Sequence, residues 1–189
     1  MNLDQYSLLL TLGLFAVSGI LLACSVLYAI VPRVRRHIDR HAYRSFLIAI
    51  ATLGLSSIVG ALIYQLVYLT PVCELCWWQR IFLFPIAIIA LVAIWYRSKE
   101  AHITVAILSA IGLFYAAYHY YYHFQGLVLE NKLALPCSSG GLLPACTDSP
   151  ILVFGFVTIP FMGILVFTSM LVLAYFAHRA LTRENGLIK

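Results

Sequence analysis

Five apolar stretches constrain this chain more than any single motif. A helix needs roughly 20 residues to cross the hydrocarbon core of a bilayer, and the runs at about 6–31, 46–69, 81–95, 103–122 and 151–176 contain no Lys, Arg, Asp or Glu. Lipid offers no hydrogen-bond partner to backbone N–H and C=O groups, so such runs satisfy them internally, as helices. The expected fold is an all-α membrane protein with five transmembrane helices. The third run reaches full length only if it begins around Trp77. Charged residues make up only 10% of the chain, against roughly 25% in a soluble domain. The net charge of +5 is carried by short segments between the runs, as in loops beside an anionic membrane surface. A nucleic-acid partner is not expected.

The first run is longer than the roughly 7–15 residues of a signal-peptide core, and no basic residue precedes it. Leu21-Leu22-Ala23-Cys24 is a loose match to a lipoprotein cleavage site, but the apolar sequence continues through Ile30. Cys24 therefore reads as a small buried apolar residue. The segment from Pro32 to Ser45 carries Arg33, Arg35, Arg36, Arg40 and Arg44 with His37 and His41. With five alternating spans, ten of the twelve Lys and Arg residues fall on the side of this segment and two, Arg80 and Lys132, on the other. The positive-inside rule then puts the C-terminus in the cytoplasm, and the N-terminus and the 124–150 loop outside a cell (inner) membrane.

Within the runs, Ser56 and Gly60 have the small-x-x-x-small spacing that lets helices approach closely. Tyr64 and Gln65 read as packing or interface residues. Pro85 is expected in the first turns of the third span and Pro160 as a kink inside the fifth. The tyrosines from Tyr115 to Tyr122 read mainly as an interfacial belt.

Chemistry concentrates between Pro71 and Pro85, where Cys73 and Cys76 stand two residues apart ahead of Trp77, Trp78 and Arg80. That spacing lets the sulfurs meet when the second cysteine lies in the first turn of a helix, whose unpaired N–H groups favour the thiolate. A second pair, Cys137 and Cys146, encloses eight residues rich in Gly and Pro. All four fall on the expected outer face, where disulfides persist. Two dithiols on one face suit a thiol–disulfide relay. Two structural disulfides, or a zinc site of four thiolates at unusual spacing, are the alternatives, and the residues alone leave them open.

The stretch Cys73-Glu-Leu-Cys76-Trp-Trp-Gln-Arg80-Ile-Phe-Leu-Phe-Pro85, with Pro136-Cys137 through Cys146 and Phe154-Gly-Phe-Val-Thr-Ile-Pro160-Phe, closely resembles the DsbB family of disulfide-bond formation proteins, especially its BdbC branch. The resemblance covers about Ile48 to Phe176. It implies a catalytic four-helix bundle over 46–177, followed by a tail (178–189); the extra span and basic loop before it (1–45) depart from the best-known members. It also implies an enzyme, a thiol:quinone oxidoreductase that reoxidises a DsbA-like or BdbD-like thioredoxin-fold partner and passes the electrons to ubiquinone or menaquinone. On this resemblance Cys137 is attacked by the partner, Cys146 resolves, and their dithiol reduces Cys73–Cys76 through a Cys73–Cys146 link. Cys76 then faces the quinone as a thiolate beside Arg80, and His119 and His123 are candidate quinone ligands. No metal is expected. A vitamin-K-epoxide-reductase-like enzyme and a transporter or structural subunit braced by disulfides are the other readings. The motif context disfavours the first, and the scarcity of ionisable residues in the spans disfavours transport.

Overall fold

The computed structural model describes residues 2–38, 43–128 and 151–186. Cys137 and Cys146 lie outside these, as does the expected outer disulfide ring. Six helices follow in order: α1 (Leu3–Ile30), α2 (Pro32–Ile38), α3 (Tyr43–Leu66), α4 (Glu74–Tyr96), α5 (Ala101–Val128) and α6 (Ile159–Gly186). All but α2 are long and apolar enough to cross a membrane, so the all-α, five-span expectation holds.

Helices α3 to α6 form a four-membered ring in which α3 packs on α4 and α6, and α5 on α4 and α6. Its core is built from fully buried Leu47, Ile50, Ile86, Val105, Phe167 and Met170. Between membrane helices, close approach depends on small residues rather than on a hydrophobic driving force. Two contacts show this. A Cβ on Gly54 of α3 would lie 3.0 Å from that of Ala87 on α4, and a Cβ on Gly112 of α5 would overlap the ring of Phe167 on α6. At the end of the ring away from the first cysteine pair, α3, α5 and α6 are joined by Tyr43 Oη to His102 Nδ1 (3.4 Å) and His102 Nε2 to His178 Nδ1 (3.0 Å).

Helix α1 stands outside the ring, packed on α6 and α2, and is the least enclosed of the five spans. Cys24, expected to be buried, is only half-buried for that reason. The close contact expected of Gly60 is made with α1, where a Cβ would meet Leu10 at 3.5 Å and the Tyr6 hydroxyl at 3.6 Å.

Several expectations are corrected. The basic segment contains a short helix, α2, opened by Pro32, whose fixed φ suits a first helical position. Because α4 begins at Glu74 rather than near Ile81, Pro85 lies in its interior, where it leaves the turn below one hydrogen bond short. The fifth span, α6, begins as a helix at Ile159, not Ile151. Phe154 (φ 55°) and Gly155 (φ 77°) take left-handed conformations and close a tight hairpin in which Val153 and Val157 exchange backbone hydrogen bonds of 2.9 Å. Pro160 consequently falls in the first turn of α6 and makes no mid-helix kink, since no intrahelical bond is asked of its nitrogen there.

Gly112→Ala should lower stability by about 1–3 kcal/mol, the usual penalty of overpacking, because the added Cβ would overlap the buried Phe167 ring. Thermal unfolding in detergent checks this, and Phe167→Leu should restore much of the loss in the double variant.

Candidate active site

The connection from α3 folds back on itself before α4 begins. Thr70 N and Oγ1 both bind the carbonyl of Tyr64, at 3.0 and 2.6 Å. This sets Cys73 as the N-cap of α4, with extended backbone (φ −76°, ψ 166°) and Sγ accepting from the Cys76 N–H at 3.4 Å. A helix start leaves such N–H groups without an intrahelical acceptor, so the sulfur occupies the place a serine or aspartate oxygen takes in an ordinary cap. The C-x-x-C spacing brings the two sulfurs to 2.9 Å.

Helix α5 supplies the next group. His119 is buried, with Nε2 3.6 Å from Cys73 Sγ and Nδ1 3.1 Å from Gln79 Nε2. An amide nitrogen only donates, so Nδ1 accepts, and the neutral ring carries its proton on Nε2, pointed at Cys73. Gln79 can take this position because α6 has glycine opposite it: a Cβ on Gly163 would stand 2.8 Å from Gln79 Oε1. Hydrogen bonds to Cys73 from the Cys76 thiol, from His119 and from the Cys76 N–H together outweigh burial and bring its thiol from 9.0 down to about 4. These contacts make Cys73 the readily ionised sulfur of the pair. Trp78 stacks on Tyr115 (5.4 Å, 6°), and Tyr115, Tyr118 and Tyr122 pack around Cys73 and Leu75. Part of the tyrosine belt is thus the wall of the dithiol.

Cys76 faces the other way. With Arg80, one turn further on, it lines a cavity of 360 Å³ between α1, α3, α4 and α6, within the range of about 300–1,000 Å³ usual for small-molecule sites. The Arg80 guanidinium donates to Gln65 Oε1 and, at 3.3 Å, to the Ala61 carbonyl, and sits 5.3 Å from the centre of the Trp77 ring. Its charge acts on both sulfurs. Gln65, Thr70 and Gln79 line the cavity at this end, and Leu53, Leu83, Val166 and Phe167 line it further in. A ligand with a polar head and an apolar body fits that gradient, and a quinone is one.

Of the residues singled out in the sequence, Cys73, Cys76, Arg80 and His119 are brought together. His123 is buried with its ring 4.8 Å from that of His119, and neither histidine lines the cavity. Gln79 and Gln65 were not recognised as site residues, although a glutamine in an apolar run is the kind of signal that would have pointed to them. Ligand atoms of Cys73, Cys76 and His119 lie within 4.8 Å of one another and could hold a metal, but a metal there would engage both sulfurs and block disulfide chemistry.

A membrane bundle with a dithiol capping one of its spans defines a class of protein, the membrane-bound thiol–disulfide oxidoreductases. This chain belongs to the DsbB family: the family described as "Disulfide bond formation protein DsbB" matches residues 43–177. It is 32% identical over 124 residues to the SPbeta prophage-derived disulfide bond formation protein B of Bacillus subtilis, covering 66% of this chain and 79% of the relative. It is 31% identical over 132 residues to disulfide bond formation protein C of the same organism, covering 67% and 88%. A probable disulfide formation protein of Coxiella burnetii is 30% identical over 128 residues, covering 66% and 83%. No solved structure gives a significant match. The protein is a multi-pass membrane oxidoreductase of disulfide bond formation, acting with a thiol–disulfide partner.

If the Cys73 thiol titrates near 4, the reduced protein should alkylate there at a nearly constant rate from pH 8 down to about 5, because the thiolate is lost only as pH falls through that value. An ordinary thiol would have only about 0.3% thiolate at pH 6. Mass mapping of iodoacetamide adducts, in a chain with Cys24, Cys137 and Cys146 changed to serine, checks this. His119→Leu should move the profile to higher pH.

Proposed function

We propose that the protein is a dithiol:quinone oxidoreductase, oxidising an external thioredoxin-fold protein and delivering the electrons to a membrane quinone. The observation that carries this reading is that Cys76 and Arg80 share the wall of an amphipathic cavity while Cys73, 2.9 Å from Cys76, lies behind that wall. In this reading the cysteine end of the bundle is the outer one, in keeping with the distribution of Lys and Arg, and Cys137 and Cys146 exchange with the partner before the Cys73–Cys76 pair.

The chain's own groups divide the work. His119 donates to the Cys73 thiolate and, held by Gln79, cannot turn away from it. Arg80, fixed by Gln65 and the Ala61 carbonyl, presents a positive charge where negative charge develops in the cavity. A bound quinone would supply the electron acceptor: closing the S–S bond from the Cys73 thiolate and the Cys76 thiol releases two electrons and one proton, and the second proton of the quinol would come from solvent. The apolar lining keeps water from the acceptor, which strengthens the influence of Arg80.

The test is an absorbance trace of detergent-purified, pre-reduced protein after addition of a short-chain quinone, with free thiols counted in parallel. Wild type should lose two thiols of the Cys73–Cys76 pair for each quinone reduced. Cys76→Ser should do neither. Arg80→Gln should slow quinone reduction by on the order of 10²-fold, the scale of one lost electrostatic stabiliser. Thiols that persist while quinone stays oxidised in the wild type would sink the reading.

A further inference from the structure

We infer that α1, the helix outside the family match, is the fourth wall of the quinone cavity, and that Gly13 on it sets the room for the acceptor's apolar tail. The inference rests on the quinone reading above and assigns a part of that site to a helix with no other evident task.

Leu9, Leu10, Gly13, Leu14 and Val17 all line the cavity. Their spacing is that of a single helix face, so α1 presents one continuous stripe to it. At about 1.5 Å per residue this stripe runs for about 12 Å. Opposite it, the α3 wall extends from Gln65 to Leu53, about 18 Å on the same measure. The cavity is therefore elongated along the helices. Its charged and amide groups lie at the cysteine end. Further in, the hydroxyls of Ser56 and Ser57 are directed at the Leu53 carbonyl, at 3.0 and 2.7 Å. A headgroup beside Cys76 and Arg80 leaves only apolar space beyond it, along α1.

The helix is fastened on both sides of that space. Tyr6 donates to the Gly60 carbonyl of α3 at 3.3 Å and sets its ring 5.0 Å from that of Tyr64. Ser18 meets Ser169 of α6 at 3.2 Å, and Arg179 donates to Tyr28 at 2.9 Å. α1 thus bridges α3 and α6 and closes the side of the cavity that would otherwise face lipid. Gly13 lies at the middle of the stripe, and a Cβ there would meet nothing within 4 Å. Gly19 is equally open but does not line the cavity, so it is a matched control.

The experiment uses the full-length oxidised protein, which does not turn over, and follows Trp fluorescence on titration with two quinones of the same headgroup, one tailless and one carrying a decyl or isoprenoid chain. Gly13→Leu should weaken the tailed compound by about tenfold and the tailless one by less than twofold, while Gly19→Leu changes neither. In the wild type, a quinone bearing a photoreactive group at the end of its tail should label residues 9–17. Label confined to α3, α4 and α6, or equal effects of Gly13→Leu on both quinones, would overturn the inference. Wild-type protein that binds neither quinone would instead remove the quinone reading itself, and this inference with it.

Discussion

The cap at Cys73 is the interaction on which the rest of the site depends. A helix that starts at the edge of a membrane has N–H groups with few places to turn, and here a sulfur answers them. That choice fixes the direction of both cysteines. Cys73 looks toward α5 and is met by His119, while Cys76, one turn on, looks into the cavity with Arg80. Had α4 begun at Trp77, both cysteines would precede the helix, and Cys73 would lose the cap's donor.

Support for the pair comes from every helix of the ring. Gln79 holds the imidazole, and α6 accommodates Gln79 only because residue 163 lacks a side chain. Gln65 and the Ala61 carbonyl of α3 hold Arg80. Side chains in such a shell set the geometry of the reacting groups. Far from the dithiol, the contact of Gly112 with Phe167 and the Tyr43–His102–His178 chain keep the helices in the register this shell needs.

Much of this was legible in the sequence. Uncharged runs gave the five spans, and the Cys73–Cys76 spacing with Arg80 four residues on located the chemistry. Helix ends were harder. Apolar residues continue through Ile151–Thr158, so hydropathy runs past the hairpin that delays α6, and nothing in Phe154-Gly155 alone announces two left-handed residues in succession. The facing of side chains was hardest of all. These helices are apolar on every side, so sequence periodicity does not say which way His119 or Gln79 points. The resemblance made His119 a candidate quinone ligand, and only the structure shows that its ring also meets the Cys73 sulfur. The part played by α1 was hidden for the same reason.

The two cysteines, neighbours at 2.9 Å, do not share an environment. Cys73 is 6% exposed and walled by tyrosines, while Cys76 opens on an apolar chamber. The pair is thus an insulated junction between two circuits. On the reading proposed above, a reductant dissolved in water meets aromatic rings before it meets sulfur, and an oxidant dissolved in lipid meets Cys76 first. On that reading, the side chains themselves give traffic through the junction its direction.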